Sequence, residues 1–154
     1  MTGPFFDTSV LIRGLVLLGE PDAAALRIFD AIGEGKLGEP QTAWHCCLEF
    51  VAVTTRLPEE FRLPLDEAIL LVRREILARF AVRQLPPSEF EALLTAALGD
   101  QVGGGRIYDL HIAEVARASG SRIVVTNNRR HFGGLLRLGI SVLSTDDYAV
   151  QEGF

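Results

Sequence analysis

Basic residues are scarce. The chain has 15 lysines and arginines against 20 aspartates and glutamates, Lys36 is the only lysine, and the formal net charge is -5. No overall positive field therefore draws it to nucleic acid, which argues against a passive binder that must neutralise many phosphates. An enzyme that meets phosphates through a bound divalent cation stays open, because the ion restores local attraction where acidic ligands hold it. Cysteine is nearly missing too: Cys46 and Cys47 are the only two. Adjacent cysteines are poorly placed to pair and lack the C-x-x-C spacing of a zinc site, so they read as small buried hydrophobes in a reduced compartment. No basic stretch precedes the first apolar residues of MTGPFFDTSV, so no secretory signal is read. No apolar run approaches the roughly 20 residues that span a bilayer. The expectation is a cytoplasmic protein with no membrane contact. Internal repeats and low-complexity tracts are also missing, and 154 residues fit one domain over 1–154.

What is present is apolar. Hydrophobic residues make up 48% of the chain and the mean hydropathy is +0.24, enough to bury a sizeable core. Periodicity alternates between strand and helix. Gly3 to Thr8 reads as a buried strand. Asp22 to Gly33 reads as a helix with Ala25, Ile28, Phe29 and Ile32 on one face. After a short strand or turn at 39–41, Thr42 can cap a helix running to Arg56, with Trp44, Cys47, Leu48, Val51 and Thr55 facing the core. Helices follow at 66–77 and 88–98, with a brief strand at 80–84 between them. Ile107 to Ala118 is an amphipathic helix closed by Gly120, and strands at 122–125 and 140–143 flank a helix or loop at 131–138. This order predicts an α/β fold with a mainly parallel central sheet and helices on both faces. Such sheets bind ligands at the carboxyl ends of their strands. Asp7-Thr8-Ser9 and Thr126-Asn127-Asn128 each follow a predicted strand and fall at that edge.

Three carboxylates stand among apolar neighbours: Asp7 at the end of the first strand, Glu49 within Leu48-Glu49-Phe50-Val51, and Asp109 in the first turn of a helix. Each has an ordinary reading. Asp7 can be a helix N-cap, Glu49 a solvated helix residue, and Asp109 an acid favoured by the helix dipole. Taken together they suggest another role. Clustered carboxylates repel and are costly to bury, and a hard divalent cation resolves that conflict. His45, His111 and His131 are assigned to packing or surface, since no third nitrogen or sulfur ligand accompanies them. Gly103-Gly104-Gly105 lacks the downstream Lys-Ser/Thr of a phosphate loop and reads as a flexible connection near Asp109.

Four segments together resemble the PIN-domain family. They are Phe5-Phe6-Asp7-Thr8-Ser9-Val10-Leu11-Ile12, Leu48-Glu49-Phe50, Gly105 to Ala113 around Asp109, and Val124 to Phe132 around Thr126. In size and motif style the chain is similar to the toxin subunits of VapBC-type toxin–antitoxin pairs. The resemblance implies a PIN-like three-layer α/β/α sandwich and an endoribonuclease using Mg²⁺ or Mn²⁺. It also implies an RNA substrate, a homodimer, and a small antitoxin protein as partner. Carried over, Asp7, Glu49 and Asp109 are the catalytic acids and metal ligands, direct or through water. Thr8, Ser9, Thr126, Asn128 and Arg106 support them or bind phosphate. The family's frequent fourth acid is missing, and this chain offers Asn127, Asn128 and His131 there instead; a neutral fourth position leaves open one metal or two, and retained or lost activity.

Rival classes fit less well. A dehalogenase-like phosphatase needs a second aspartate two residues after the first, where this chain has Ser9. A receiver domain needs a late lysine, and Lys36 falls too early. The rival of another kind is a catalytically weak or inactive binding module that acts through RNA or an antitoxin.

Overall fold

A computed structural model describes residues 2–154. Five parallel strands form one sheet in the order β3-β2-β1-β4-β5: β1 is Thr2–Phe6, β2 Glu39–Ala43, β3 Ala81–Arg83, β4 Ile123–Val125 and β5 Ser141–Leu143. Phe5, Phe6, Val124 and Val125 are wholly buried, as strands covered on both faces require. The helices are α1 (Thr8–Leu15), α2 (Ala23–Gly33), α3 (Trp44–Thr54), α4 (Leu65–Leu71), α5 (Phe90–Gly99), α6 (Arg106–Ala118) and α7 (Thr145–Glu152). One layer runs through the contacts of α1 with α2 and α3, α2 with α7, and α3 with α4; α5 and α6 pair with each other elsewhere, and α6 packs on β2. The expected α/β/α architecture is therefore present, and its sheet is entirely parallel.

Local chemistry sets most element ends. Asp22 caps α2 by accepting from the Ala25 amide at 3.0 Å, and Ser144 caps α7 the same way through Asp147. Gly14 lets α1 and α2 meet, since a Cβ there would lie 2.2 Å from the Phe29 ring. The core joins Phe6 edge-on to Phe80 and Tyr148, with ring centroids 5.9 and 6.0 Å apart. No helix among the described residues is long and apolar enough to cross a membrane.

Three expectations need correction, and one helix was not expected. Thr42 does not cap α3; it lies in β2, where its hydroxyl donates to the Phe6 carbonyl at 2.8 Å and stitches β2 to β1. The buried face of α3 is Cys46, Cys47, Phe50 and Thr54, while Trp44 and Leu48 are exposed. The expected helix over 66–77 is α-helical only to Leu71 and continues as π-helix through Val72–Leu77. Helix α7 had no sequence expectation, because only Tyr148 and Ala149 in it are apolar and buried.

Candidate active site

β1 lies between β2 and β4, so the chain leaves it in one direction and later returns on its other side. At that switch point the loops after β1 and β4 face each other. Asp7 follows β1 and Thr126 follows β4, and their side chains meet. Thr126 Oγ1 donates to Asp7 Oδ2 at 2.5 Å, while Ser9 donates to Asp7 Oδ1 from both its hydroxyl (2.6 Å) and its amide (3.1 Å). The Asn127 amide donates to Ser9 Oγ at 3.1 Å, and the Asn128 amide donates to Thr126 Oγ1 at 3.0 Å. Asp7 is thus both the N-cap of α1 and the hub joining the two loops.

Asp7 is 4% exposed. Burial pushes its carboxyl from the ordinary 3.8 up to about 6, against the opposing donation from Ser9 and Thr126. Its ionised form is therefore held at a cost that a nearby cation would relieve. Beside it, the Thr8 hydroxyl is buried against the Cys46 thiol. Cys46 is no nucleophile: burial pushes its thiol up to about 12, and the neighbouring Asp7 charge adds to the effect.

Asp109 sits in the first turn of α6 at the head of the stripe that buries Ile112, Ala113 and Ala116. Its Oδ2 lies 3.0 Å from His131 Nδ1, on the 3₁₀ segment Arg129–Leu138 that follows β4. That distance suits an ion pair, yet the Nδ1 atom is buried and out of line for a hydrogen bond. A cleft of about 300 Å³ opens beside them, with Arg106, Arg130, Asp100 and Glu114 on its walls. Arg129 instead pairs with Asp147 at 3.5 Å on the exposed surface. Glu114 holds Arg117 at 2.9 Å.

Glu49 lies on the flank of α3, half-buried, one turn beyond His45. His45 reaches α6: its Nδ1 is 3.1 Å from His111 Nδ1, and its ring packs on Tyr108 with centroids 5.4 Å apart. Burial, and then the neighbouring His45, lower the pKa of His111. The helices carrying Glu49 and Asp109 are thereby tied together. Asn127 and Asn128 are exposed, and Asn127 Oδ1 accepts from Thr145 at 3.3 Å.

Asp7, Ser9 and Thr126 are thus brought into direct contact, whereas Asp109 meets His131 and Glu49 stands on its own flank. The sequence places His131 near the site, in the fourth motif, but reads it as packing or surface rather than as a partner of Asp109. The available signal was its place three residues after Asn128 in the loop that follows β4.

Comparison with known proteins settles the lineage of this arrangement. A family model of the PIN domain matches residues 5–133. The chain belongs to the PIN-domain family. Solved structures share its fold at low identity. FitAcB from Neisseria gonorrhoeae has TM-score 0.61 and 14% identity, covering 94% of this chain and 98% of that one. PAE2754 from Pyrobaculum aerophilum has TM-score 0.63 and 20% identity, with 98% and 97% covered. VapBC-1 from nontypeable Haemophilus influenzae has TM-score 0.63 and 14% identity, with 95% and 99% covered. No curated protein sequence matches the chain significantly.

Among the described residues, no three His, Cys, Asp or Glu side chains converge to hold a metal, so a closed cage is not built. The buried carboxylate of Asp7 fits a hard, hydrated ion instead. Mg²⁺ commonly keeps several waters and takes only one or two carboxylates.

Proposed function

We propose that this PIN domain is a divalent-metal-dependent endoribonuclease, the toxin component of a toxin–antitoxin pair, that hydrolyses RNA phosphodiester bonds. The observation that carries the reading is Asp7: a nearly buried carboxylate, fixed by Ser9 and Thr126 at the switch point of a parallel sheet. Burial raises its pKa, so a bound cation would stabilise the ionised form. Asp7 would hold Mg²⁺ or Mn²⁺, with Asp109 and Glu49 assisting directly or through water. When bound, that ion supplies charge neutralisation at the scissile phosphate and an acidified water for in-line attack.

The chain's own residues do the rest. Thr126 and Ser9 fix the rotamer of Asp7, and the backbone contacts at Asn127 and Asn128 hold the β4 loop beside it. Thr8 opens α1, where the helix dipole favours an anion. Arg106 and Arg130 line the cleft next to Asp109 and can contact successive phosphates of a single strand. The fold shared with VapBC-1 and FitAcB supports a small antitoxin partner, and the family resemblance supports a homodimer in the cytoplasm.

A binding module with weak or lost catalysis is the second reading, favoured by the neutral, exposed Asn127-Asn128 pair and the lack of a three-ligand cluster. Incubation of the purified chain with a structured RNA pool in Mn²⁺ tests between them. Discrete cleavage that is lost in EDTA and in Asp7→Asn establishes the nuclease. Mn²⁺ binding without any cleavage supports the binding module.

A further inference from the structure

The contact between Asp109 and His131 is unusual. Their Oδ2 and Nδ1 atoms are 3.0 Å apart, but the imidazole nitrogen has no hydrogen-bond partner although it is buried. The N–H of one tautomer and the lone pair of the other lie along the same in-plane axis of the ring, and that axis misses the carboxylate oxygen. Neither state satisfies the buried atom. A cation that accepts both lone pairs does. Two donors about 2.1 Å from an octahedral ion, at a right angle to one another, lie about 3.0 Å apart.

The pair is also continuous with the hub at Asp7. Thr126 donates to Asp7 and accepts from the Asn128 amide, and the Asn128 carbonyl accepts from the His131 amide at 3.0 Å. His131 is thereby set by the same loop that orients Asp7. The neutral Asn127-Asn128 segment supplies no negative charge here, and the imidazole offers a donor of another kind.

We propose that Asp109 and His131 form a mixed oxygen–nitrogen ligand pair for the divalent cation at this edge of the sheet, so that this chain selects Mn²⁺ over Mg²⁺. The proposal rests on the metal-site reading above. Mg²⁺ is hard and prefers oxygen, whereas imidazole suits first-row transition ions, whose affinity for nitrogen donors is higher. His131 would therefore act as a selectivity determinant that an all-carboxylate site lacks.

Pulsed electron paramagnetic resonance on the Mn²⁺-loaded full chain tests this without relying on cleavage. The expected spectrum shows ¹⁴N coupling to the manganese. The coupling should vanish in His131→Gln and persist in His45→Gln and His111→Gln, the other histidines of the chain. In His131→Gln, Mn²⁺ affinity should fall on the order of tenfold, with Mg²⁺ affinity changing far less. Circular dichroism melts confirm folding of each variant, and Asp109→Asn, which leaves the imidazole in place, should also weaken Mn²⁺ binding. Mn²⁺ binding that depends on Asp7 but shows no nitrogen coupling, or coupling that survives His131→Gln, overturns the proposal and leaves the metal-site reading standing. No Mn²⁺ binding by the folded chain overturns both.

Discussion

Asp7 and Asp109 are both acids of the proposed site, yet they are held in opposite ways. Asp7 is buried, caps a helix and accepts three hydrogen bonds from Ser9 and Thr126. Asp109 is half-buried at a helix start, and its closest partner is an imidazole out of line with it. One carboxylate is woven into the fold, while the other is left free to turn toward a ligand. In the proposed function, an acid of the first kind would serve stability and chemistry together, and an acid of the second kind chemistry alone.

The largest expected effect treats the two alike. Asp7→Asn and Asp109→Asn should each lower Mn²⁺-dependent RNA cleavage on the order of a hundredfold or more, measured as initial rates. Full activity in either variant would remove that acid from the site. Stability should then separate them. At pH 5 and without metal, Asp7→Ala loses the α1 cap and leaves the buried Thr126 hydroxyl short of a partner, a loss of roughly 2–4 kcal/mol in urea unfolding. Asp109→Ala should stay within about 0.5 kcal/mol of the parent chain.

The Asp7 deficit should also depend on pH. A carboxyl raised to about 6 keeps its proton longer in the folded state than in the unfolded chain, so metal-free stability falls as pH climbs from about 3.8 through 6. The fall is on the order of 3 kcal/mol and is complete above that window. Asp7→Ala escapes it, so its deficit relative to the parent should shrink by about 1.4 kcal/mol between pH 5 and pH 8. A deficit of equal size at both pH values would mean that the carboxyl is not strained. A smaller effect is expected at the supporting hydroxyl. Thr126→Val keeps the shape but removes the donor to Asp7, which should lower stability by about 1–2 kcal/mol in thermal melts. The smallest belongs to Arg129→Ala, whose exposed pair with Asp147 should contribute no more than a few tenths of a kcal/mol, with cleavage unchanged.

The same contrast explains what could be read from the sequence. Asp7 and Thr126 were legible because each ends an apolar run, and the strand–helix alternation alone puts both at the carboxyl edge of a parallel sheet. The pairing of Asp7 with Ser9 follows from a two-residue spacing that also makes a helix cap. The surroundings of Glu49 and Asp109 were harder, because helical periodicity tolerates an error of one position. Leu48 and Trp44 looked like core and are exposed, whereas Cys46 and Phe50 carry the buried face. His131 was missed as a partner of Asp109 because their contact spans two elements that no local pattern links. Helix α7 was missed because its burial depends on one aromatic, Tyr148, packed against Phe6 from far along the chain.

The most direct test of the account is the thermal shift that Mn²⁺ produces at pH 8 and at pH 5, in the parent chain and in Asp7→Asn. A strained, ionised Asp7 predicts a rise in Tm at pH 8 that is much reduced at pH 5 and absent in Asp7→Asn at both. An equal rise in the parent chain and in Asp7→Asn would contradict it, because the ion would then be bound elsewhere and the buried carboxylate would be only a helix cap.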